Sequence, residues 1–393
     1  MIFNYSIPSK VIFERGCSIS VAELVKGMNV NNVLFVYDQG IKDAGIADKV
    51  IEPVEKTGIN VSHFSGVYPN PTIENVEEGL KVAIEANVEA IVTIGGGSSM
   101  DCAKAINILL TNPGSIKDYE GRGNVKLETK PLIAIPTTAG TGSEVTAFTI
   151  ITDTEKQRKM IIAGDNCGAD VALVDSELTL GLPPHITAAT GMDALTHAIE
   201  AFISKNASIP SNIHALKAME LIVENLEEAV KNGSNIEARE NMMLGSLLAG
   251  IAFNQAGLGL IHAIAHPLGS HFGVAHGVAN AIGLPYVVKY NSGLESVKKK
   301  HVEIASAMNI DTENKSLDTI SEELVSSIVK LSNAVNIPSL KEIGITKENL
   351  DEIAVDVTKE NSMKFTPRSA SLDEIKEILN DIYNEAPLIE KVY

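Results

Sequence analysis

The first half of the chain alternates short apolar runs with amphipathic segments. Runs rich in β-branched residues at 32–38, 59–64, 89–98 and 131–138 predict buried strands. Residues 72–87, between the second and third of these runs, carry apolar side chains at helical spacing. Strands that alternate with helices are typical of a parallel α/β sheet, in which ligands bind at the carboxyl ends of the strands.

The pattern changes after residues 177–202. Pro183 and Pro184 interrupt the chain, and the segments that follow are long, rich in Ala, Leu and Glu, and helical in period, as at 212–233. Strand-like alternation does not recur in this half of the sequence. We therefore predict an α/β domain over residues 1–180 and an all-helical domain over residues 181–393.

Charge and cysteine usage narrow the class of protein. A net charge of −18 over 393 residues gives no electrostatic basis for binding a nucleic-acid backbone. Three cysteines without a CxxC pair, and an N-terminus that does not resemble a secretory signal, predict a cytoplasmic protein with free thiols. The most membrane-like stretch, 247–268, is interrupted by Asn, Gln and His, so we do not expect a membrane span.

A glycine-rich loop follows the third predicted strand, in "AIVTIGGGSSMDCAKA" at 90–105. Glycines allow a ligand to approach the backbone, and the N–H groups at a helix N-terminus favour an anion such as a pyrophosphate. The loop matches neither GxGxxG nor the Walker pattern. A plain turn capped by Ser98 or Ser99 is an equally good interpretation of this loop alone.

A second polar strand end supports a nucleotide site. "IPTTAGTGSEVTAFTIITD" at 135–153 places Thr137, Thr138, Thr141 and Ser143 after a predicted strand, although an irregular loop would use the same residues. Asp38 ends the run "VLFVYD", where a carboxylate suits the hydroxyls of an adenosine ribose and repels the 2′-phosphate of NADP. Asp also commonly begins a turn, so this residue is weak support by itself.

Four of the nine histidines of the chain lie between residues 262 and 276. His262 and His266 are four residues apart, as are Asp193 and His197, so each pair shares a helix face. His276 follows after a bend that contains glycine. Core histidines with ordinary hydrogen bonds would explain either pair alone. Both pairs together with His276 favour a divalent metal, and one carboxylate with three imidazoles suits Fe²⁺ or Zn²⁺.

Four long stretches carry a resemblance to a known family: GGGSSMDCAKA, PTTAGTGSEVT, GMDALTHAIEAF and HAIAHPLGSHFGVAHGVANAI. The chain resembles the iron-containing (group III) alcohol dehydrogenases, close to their lactaldehyde reductase and propanediol dehydrogenase branch. The resemblance implies a dehydroquinate synthase-like fold, with an α/β dinucleotide-binding domain and an all-α metal-binding domain. It also implies a homodimer or larger homo-oligomer.

The resemblance assigns site residues position by position. The implied metal ligands are Asp193, His197, His262 and His276, and His266 stands beside them with a role in proton transfer. The implied NAD(H) contacts, together with Asp38, are Asn70, Gly96, Gly97, Ser98, Thr137, Thr138, Thr141 and Lys159. His271 has no role that the family supplies.

The implied reaction is hydride transfer between nicotinamide and a small primary alcohol, diol or aldehyde, with Fe²⁺, or alternatively Zn²⁺, polarising the substrate oxygen. Three alternatives remain at this stage. A zinc glycerol-type dehydrogenase on the same fold would typically lack the Asp193–His197 pair. An eliminating enzyme of the dehydroquinate synthase type would need more basic residues. A non-catalytic nucleotide- and metal-binding protein would give no alcohol-dependent NADH formation.

Overall fold

The computed structural model describes residues 5–385. By its internal contacts the chain divides into two compact units, of which one is Ser6–Gly181 and the other begins at Leu182 and includes Tyr5. The division lies beside the domain boundary predicted from the sequence. All described strands belong to the first unit.

The α/β unit contains nine described strands and five α-helices. The strands are β1 (Lys10–Phe13), β2 (Asn32–Asp38), β3 (Asn60–Val67), β4 (Ala90–Gly95), β5 (Gly121–Arg122), β6 (Leu132–Pro136), β7 (Phe148–Asp153), β8 (Arg158–Ala163) and β9 (Val171–Val174). The helices are α1 (Val21–Gly27), α2 (Gln39–Asp43), α3 (Ile46–Glu55), α4 (Ile73–Glu85) and α5 (Gly97–Thr111). Six parallel strands form the larger sheet, in the order β1-β9-β6-β4-β2-β3. Three further strands form a second sheet, in the order β5-β8-β7.

Helices cover both faces of the larger sheet, so its strands are buried on both sides. In β2, Leu34 and Val36 pack with residues of α4 and α5, whereas Val33 and Phe35 pack with residues of α1 and α3. All six residues of β4 are buried. This double burial explains why the predicted strands appear as continuous apolar runs rather than as alternating ones.

The parallel α/β prediction is confirmed, with strands β2, β3, β4 and β6 and helix α4 close to their predicted ranges. The hairpin of β7 and β8 was not predicted. Its first strand follows a run of Gly and Thr that resembles a loop, and its antiparallel register pairs Phe148 with Ala163 and Asp153 with Arg158.

The second unit contains only helices among the secondary-structure elements that the structure describes over residues 182–385. Its α-helices are α6 (Pro184–Ile203), α7 (Ile209–Lys231), α8 (Ile236–Ala256), α9 (Leu260–Phe272), α10 (His276–Asn291), α11 (Glu295–Ala307), α12 (Leu317–Ala334), α13 (Leu350–Val357) and α14 (Leu372–Asn384). Side-chain oxygens of Ser208, Asn235, Ser316 and Ser371 cap the starts of α7, α8, α12 and α14.

The apolar stretch 247–268 runs across the junction of α8 and α9. No single helix among residues 5–385 has the length and apolar composition that a membrane span requires. Helices α8 and α9 satisfy that test only as a pair, and they are bent by 104° relative to each other.

Candidate metal centre and cofactor loops

Helix α6 carries the first part of the candidate metal centre. Asp193, His197 and Glu200 lie at spacings of four and three, so their side chains share one face. Fifteen of the twenty residues of α6 are buried, which places this face inside the helical unit. A Cβ atom at Gly277 would overlap the carbonyl oxygen of Ala189, so only glycine allows the first turn of α10 to approach α6 this closely.

Four side chains from three helices bring their donor atoms together. Asp193 and His197 from α6, His262 from α9 and His276 from α10 each offer one ligand atom, and these atoms lie within 4.8 Å of one another. Oδ1 of Asp193 is 3.7, 4.0 and 3.8 Å from Nε2 of His197, His262 and His276, respectively. The structure thus brings together the four residues that the sequence suggested as ligands.

Glu200 fixes the orientation of His262. Its carboxylate lies 2.7 Å from Nδ1 of His262 and accepts hydrogen bonds from the backbone N–H groups of Gly259 and Ile261, at 3.0 and 2.8 Å. The same buried side chain therefore anchors the start of α9 and holds one nitrogen of the imidazole. The other nitrogen, Nε2, faces Asp193 with its lone pair, as a metal-binding histidine requires.

Asn280, one helical turn after His276 and fully buried, provides an independent test of the site. Its Nδ2 lies 2.6 Å from Oδ1 of Asp193, 3.1 Å from Nε2 of His262 and 3.2 Å from Nε2 of His276. This amide NH2 group has two hydrogens and faces three acceptors, so a carboxylate oxygen and two imidazole lone pairs share one small space. The donor set fits Fe²⁺ or Zn²⁺, whereas Mg²⁺ and Ca²⁺ prefer shells of oxygen.

His266 lies beside these donors and not among them. Its ring stacks on His276, with 5.6 Å between ring centroids, and meets His262 edge-on at 6.2 Å. Its Nδ1 is 2.8 Å from Oε2 of Glu360. His271 lies apart from the cluster, with Nε2 2.9 Å from Oδ2 of Asp356.

The glycine loop of the α/β unit joins β4 to α5. Gly96 precedes α5 without any side-chain cap, so the first N–H groups of a fifteen-residue helix are available to an anion. Strands β4 and β6 are neighbours, and the N–H of Thr137 donates to the carbonyl of Gly95 at 3.0 Å. The two polar strand ends predicted from the sequence therefore lie side by side.

The glycines also serve packing. A Cβ at Gly96 would lie 3.2 Å from Oγ1 of Thr138, and one at Gly97 would lie 2.9 Å from Cγ2 of Thr141. The two threonines, which follow β6, thus pack directly on the backbone of the loop that follows β4. Oγ1 of Thr138 is buried and has no hydrogen-bond partner within residues 5–385, which is consistent with a role in binding a ligand.

Asp38 is in contact with the same loop. Its Oδ1 accepts a hydrogen bond from the N–H of Ile41 at 3.1 Å and so caps α2, and its Oδ2 accepts one from Oγ of Ser99 at 3.2 Å. Asp38 is therefore a turn residue that also contacts the glycine loop, and its binding of a ribose stays a prediction.

Asn70 contacts the glycine loop, and Lys159 lies on the β7–β8 hairpin, which contacts Asn70. Asn70 adopts a left-handed conformation, with φ 54°, and its N–H donates to Oγ of Ser98 at 3.3 Å. Thr152 donates from Oγ1 to the carbonyl of Asn70 at 3.4 Å, and it is paired with Lys159 across the β7–β8 hairpin. The β7–β8 hairpin, which was not predicted from the sequence, thus positions Lys159, one of the predicted cofactor residues.

Buried side chains of α5 form hydrogen bonds with the loop that follows β6. Nζ of Lys104 donates to the carbonyls of Ser143, Phe148 and Thr146, at 2.6, 2.9 and 3.1 Å. Oγ of Ser143 donates to Asp101 at 2.8 Å. Burial lowers the pKa of Lys104, and burial raises the pKa of Glu144, within this loop, to about 7.

Sequence reasoning missed Glu200, Asn280, Glu360 and Lys104. Glu200 continues the spacing of Asp193 and His197 on α6, and Asn280 stands four residues after His276, so helical spacing contained a signal for both. Glu360 is 94 residues from His266, and no local pattern links them.

Comparison with known proteins agrees with this geometry. The family model described as "Iron-containing alcohol dehydrogenase" matches residues 8–176, and that described as "Fe-containing alcohol dehydrogenase family, C-terminal" matches residues 187–383. The chain belongs to the iron-containing alcohol dehydrogenase family. It is therefore an oxidoreductase of the alcohol dehydrogenase type, and the predictions of family, fold class and enzyme class are confirmed.

Several relatives match over nearly their whole length. The chain is 40% identical to 1,3-propanediol dehydrogenase of Citrobacter freundii, covering 97% of this chain and 99% of the relative. It is 37% identical to lactaldehyde reductase of Escherichia coli K12, covering 93% and 96%. A solved structure of sulfoacetaldehyde reductase from Bifidobacterium kashiwanohense in complex with NAD⁺ has a TM-score of 0.86 at 30% identity, covering 98% and 99%.

Proposed function

We propose that the protein is an NAD(H)-dependent alcohol dehydrogenase and aldehyde reductase for small primary alcohols, diols or aldehydes. The convergence of one carboxylate and three imidazoles within 4.8 Å in the helical unit is the observation that carries this proposal. The names of the relatives support the substrate class, since 1,3-propanediol, lactaldehyde and sulfoacetaldehyde are all short and polar.

The proposed metal ligands are Asp193, His197, His262 and His276, with Fe²⁺ as the physiological ion and Zn²⁺ as a chemically acceptable substitute. When bound, the metal supplies a Lewis acid that polarises the oxygen of the alcohol or aldehyde. Glu200 keeps the ring of His262 oriented, and Phe253 packs on the ring of His197 with 4.3 Å between centroids. These contacts hold the donor atoms in place before the ion arrives.

His266 is proposed to carry the proton of the reaction. It is 5% exposed and packs against two of the proposed ligand rings, so it is close to the substrate oxygen that those ligands serve. In alcohol oxidation this imidazole would take the hydroxyl proton and release it to solvent. The bound nicotinamide would supply the hydride acceptor.

The proposed cofactor contacts surround the N-terminus of α5. Gly96, Gly97 and Ser98 would receive the pyrophosphate at the uncapped helix end. The remaining contacts, on the adenine–ribose side and around it, are Asp38, Asn70, Thr137, Thr138, Thr141 and Lys159. Eight of these nine residues stand at the carboxyl ends of the parallel strands or in the loops beside them, where nucleotides bind to α/β sheets.

We also propose that the protein is a homodimer and that it is located in the cytoplasm. Strand β1 stands at one end of the larger sheet, so one of its edges is available to pair with a second copy. The three cysteines are free and buried, which suits a reducing compartment. Sedimentation at micromolar concentration tests the dimer, and a monomer there would contradict it.

Anaerobic loading with Fe²⁺, followed by NADH oxidation with lactaldehyde, 3-hydroxypropionaldehyde and glycolaldehyde, tests the function. We expect turnover with at least one aldehyde, and a rate lowered roughly 10²- to 10⁴-fold in His266→Ala with metal retained. Iron-loaded protein that binds NADH but turns over none of these substrates would favour the non-catalytic alternative.

A further inference from the structure

Two histidine–carboxylate pairs join α9 to the last turn of α13 and to the residues just after it. His266 contacts Glu360 through Nδ1, at 2.8 Å, and His271 contacts Asp356 through Nε2, at 2.9 Å. The two histidines are five residues apart and the two acids are four residues apart. Such a repeat could serve only to attach the two segments to each other. The two pairs differ, however, in what surrounds their rings.

The Glu360 pair lies beside the metal centre and is less exposed than the Asp356 pair. The side chains of His266 and Glu360 are 6% and 17% exposed, against 13% and 30% for His271 and Asp356. Only the ring of His266 packs on two of the proposed ligand rings. Asp356 also forms an ion pair with Lys359, at 2.7 Å, so its carboxylate is shared with a second group.

A carboxylate has no hydrogen to donate, so Nδ1 of His266 must carry the hydrogen of this contact. In the neutral ring Nε2 then holds the lone pair and is the nitrogen able to accept a proton. The same contact restricts rotation of the ring, because a flip would replace Nδ1 by a carbon atom facing the carboxylate. Geometry alone therefore selects both the tautomer and the orientation of His266.

We propose that Glu360 is a positioning residue that acts through His266, keeping its Nε2 ready to exchange a proton with the substrate. This inference rests on the proposed role of His266. Glu360 accepts the Nδ1 hydrogen before and after the transfer and does not take the proton itself. Its role parallels that of Glu200, which holds Nδ1 of His262, but it serves the proton-transferring ring instead of a ligand ring.

The first test uses metal-free protein labelled with ¹⁵N-histidine and reads the tautomer by NMR. We expect the Nδ1–H form of His266, identified by loss of its signals in His266→Asn. In Glu360→Gln this ring should become a mixture of tautomers, because an amide can either accept from Nδ1 or donate to it. His271 should be unaffected. An unchanged His266 tautomer in Glu360→Gln would overturn the inference without reference to activity.

The second test is a double-mutant cycle with iron-loaded enzyme. Glu360→Gln should lower kcat about 10- to 100-fold, the usual effect of losing a carboxylate that orients a functional imidazole, with KM and iron content unchanged. In a His266→Ala background the same change should cost nothing further. Glu360→Asp should restore part of the rate, and Asp356→Asn, the matched control, should leave it unchanged.

The outcomes separate the two claims. Equal losses from Glu360→Gln in both backgrounds would contradict action through His266, because the residue would then work by another route. A full rate in His266→Ala would instead refute the proton-transfer role in the proposed function, while the tautomer measurement would still report on the Glu360 contact.

Discussion

In the helical unit the candidate site consists of large side chains on helices, whereas in the α/β unit it consists mainly of backbone and small side chains at strand ends. Asp193, His197, His262 and His276 come from three helices, and the buried carboxylate of Glu200 holds the ring of His262. Around Gly96 and Gly97 the shape of the loop comes from threonine packing and a helix end. Single substitutions should therefore remove the metal site, whereas the cofactor site should mainly change its preference.

The two units also differ in the surroundings of one buried glutamate in each. Glu200 accepts three hydrogen bonds from α9 and His262. Glu144, in the strand-end loop, is buried to a similar extent, and burial raises its pKa to about 7. Glu200 orients the ring of His262 through its hydrogen bonds, whereas the raised pKa of Glu144 predicts a pH dependence of stability in the strand-end loop.

The largest effect that we expect in the α/β unit concerns coenzyme choice at Asp38. A 2′-phosphate at ~4 Å from this carboxylate would cost about 4 kcal/mol at an effective dielectric near 20, so the protein should prefer NAD(H). Asp38→Gly should raise kcat/KM for NADP(H) by up to about 10³-fold while costing NAD(H) less. Steady-state kinetics with both coenzymes measures the ratio.

Asp38→Asn is the matched variant. Asn keeps an oxygen that can cap Ile41 and α2, and removes only the charge. It should shift the coenzyme ratio in the same direction with little loss of thermal stability. If the wild type already prefers NADP(H), or if neither variant moves the ratio, Asp38 is a helix-capping residue alone.

The next effect is a pH dependence of stability from Glu144. Burial raises the pKa of Glu144 to about 7, so the folded protein keeps this proton up to about pH 7, while the unfolded chain releases it near the ordinary pKa of 4.5. The free energy of unfolding should thus fall as pH rises from about 4.5 to 7, by at most about 3 kcal/mol, and then level off. Denaturant unfolding of wild type and Glu144→Gln across this range should give curves that diverge. Parallel curves would show that folding does not raise the pKa of Glu144.

A smaller effect is expected at Glu200. Glu200→Gln keeps the size of the side chain but weakens the hold on Nδ1 of His262, so affinity for Fe²⁺ should fall about 10- to 100-fold. Competition with a chelator measures it, and NADH affinity should not change. An unchanged metal affinity would mean that Glu200 serves only to anchor α9.

Patterns over a few neighbouring residues predicted most strands of the larger sheet and one pair of site residues. The apolar runs gave β2, β3, β4 and β6, and helical spacing paired Asp193 with His197. The β7–β8 hairpin was not predicted because its first strand follows a Gly/Thr run that has the composition of a loop. Its contacts with Asn70 through Thr152 depend on chain folding and not on neighbouring residues.

The partners of the site residues were harder to predict for a physical reason. Glu200 and His262 are 62 residues apart, and Glu360 and His266 are 94 apart. Their pairing arises from helix packing, which a single sequence does not reveal. The residue types expected to bind the metal were visible in the sequence, whereas the carboxylates that orient their rings appeared only in three dimensions.

The central claim is that Asp193, His197, His262 and His276 hold the metal. The most direct measurement is iron content after anaerobic loading and gel filtration of wild type, His262→Ala and His271→Ala. The two variants each remove one imidazole from α9, but only His262 belongs to the cluster. We predict a single iron ion per chain in wild type and His271→Ala, and almost none in His262→Ala, with NADH affinity equal in all three. Full iron content in His262→Ala would contradict the account.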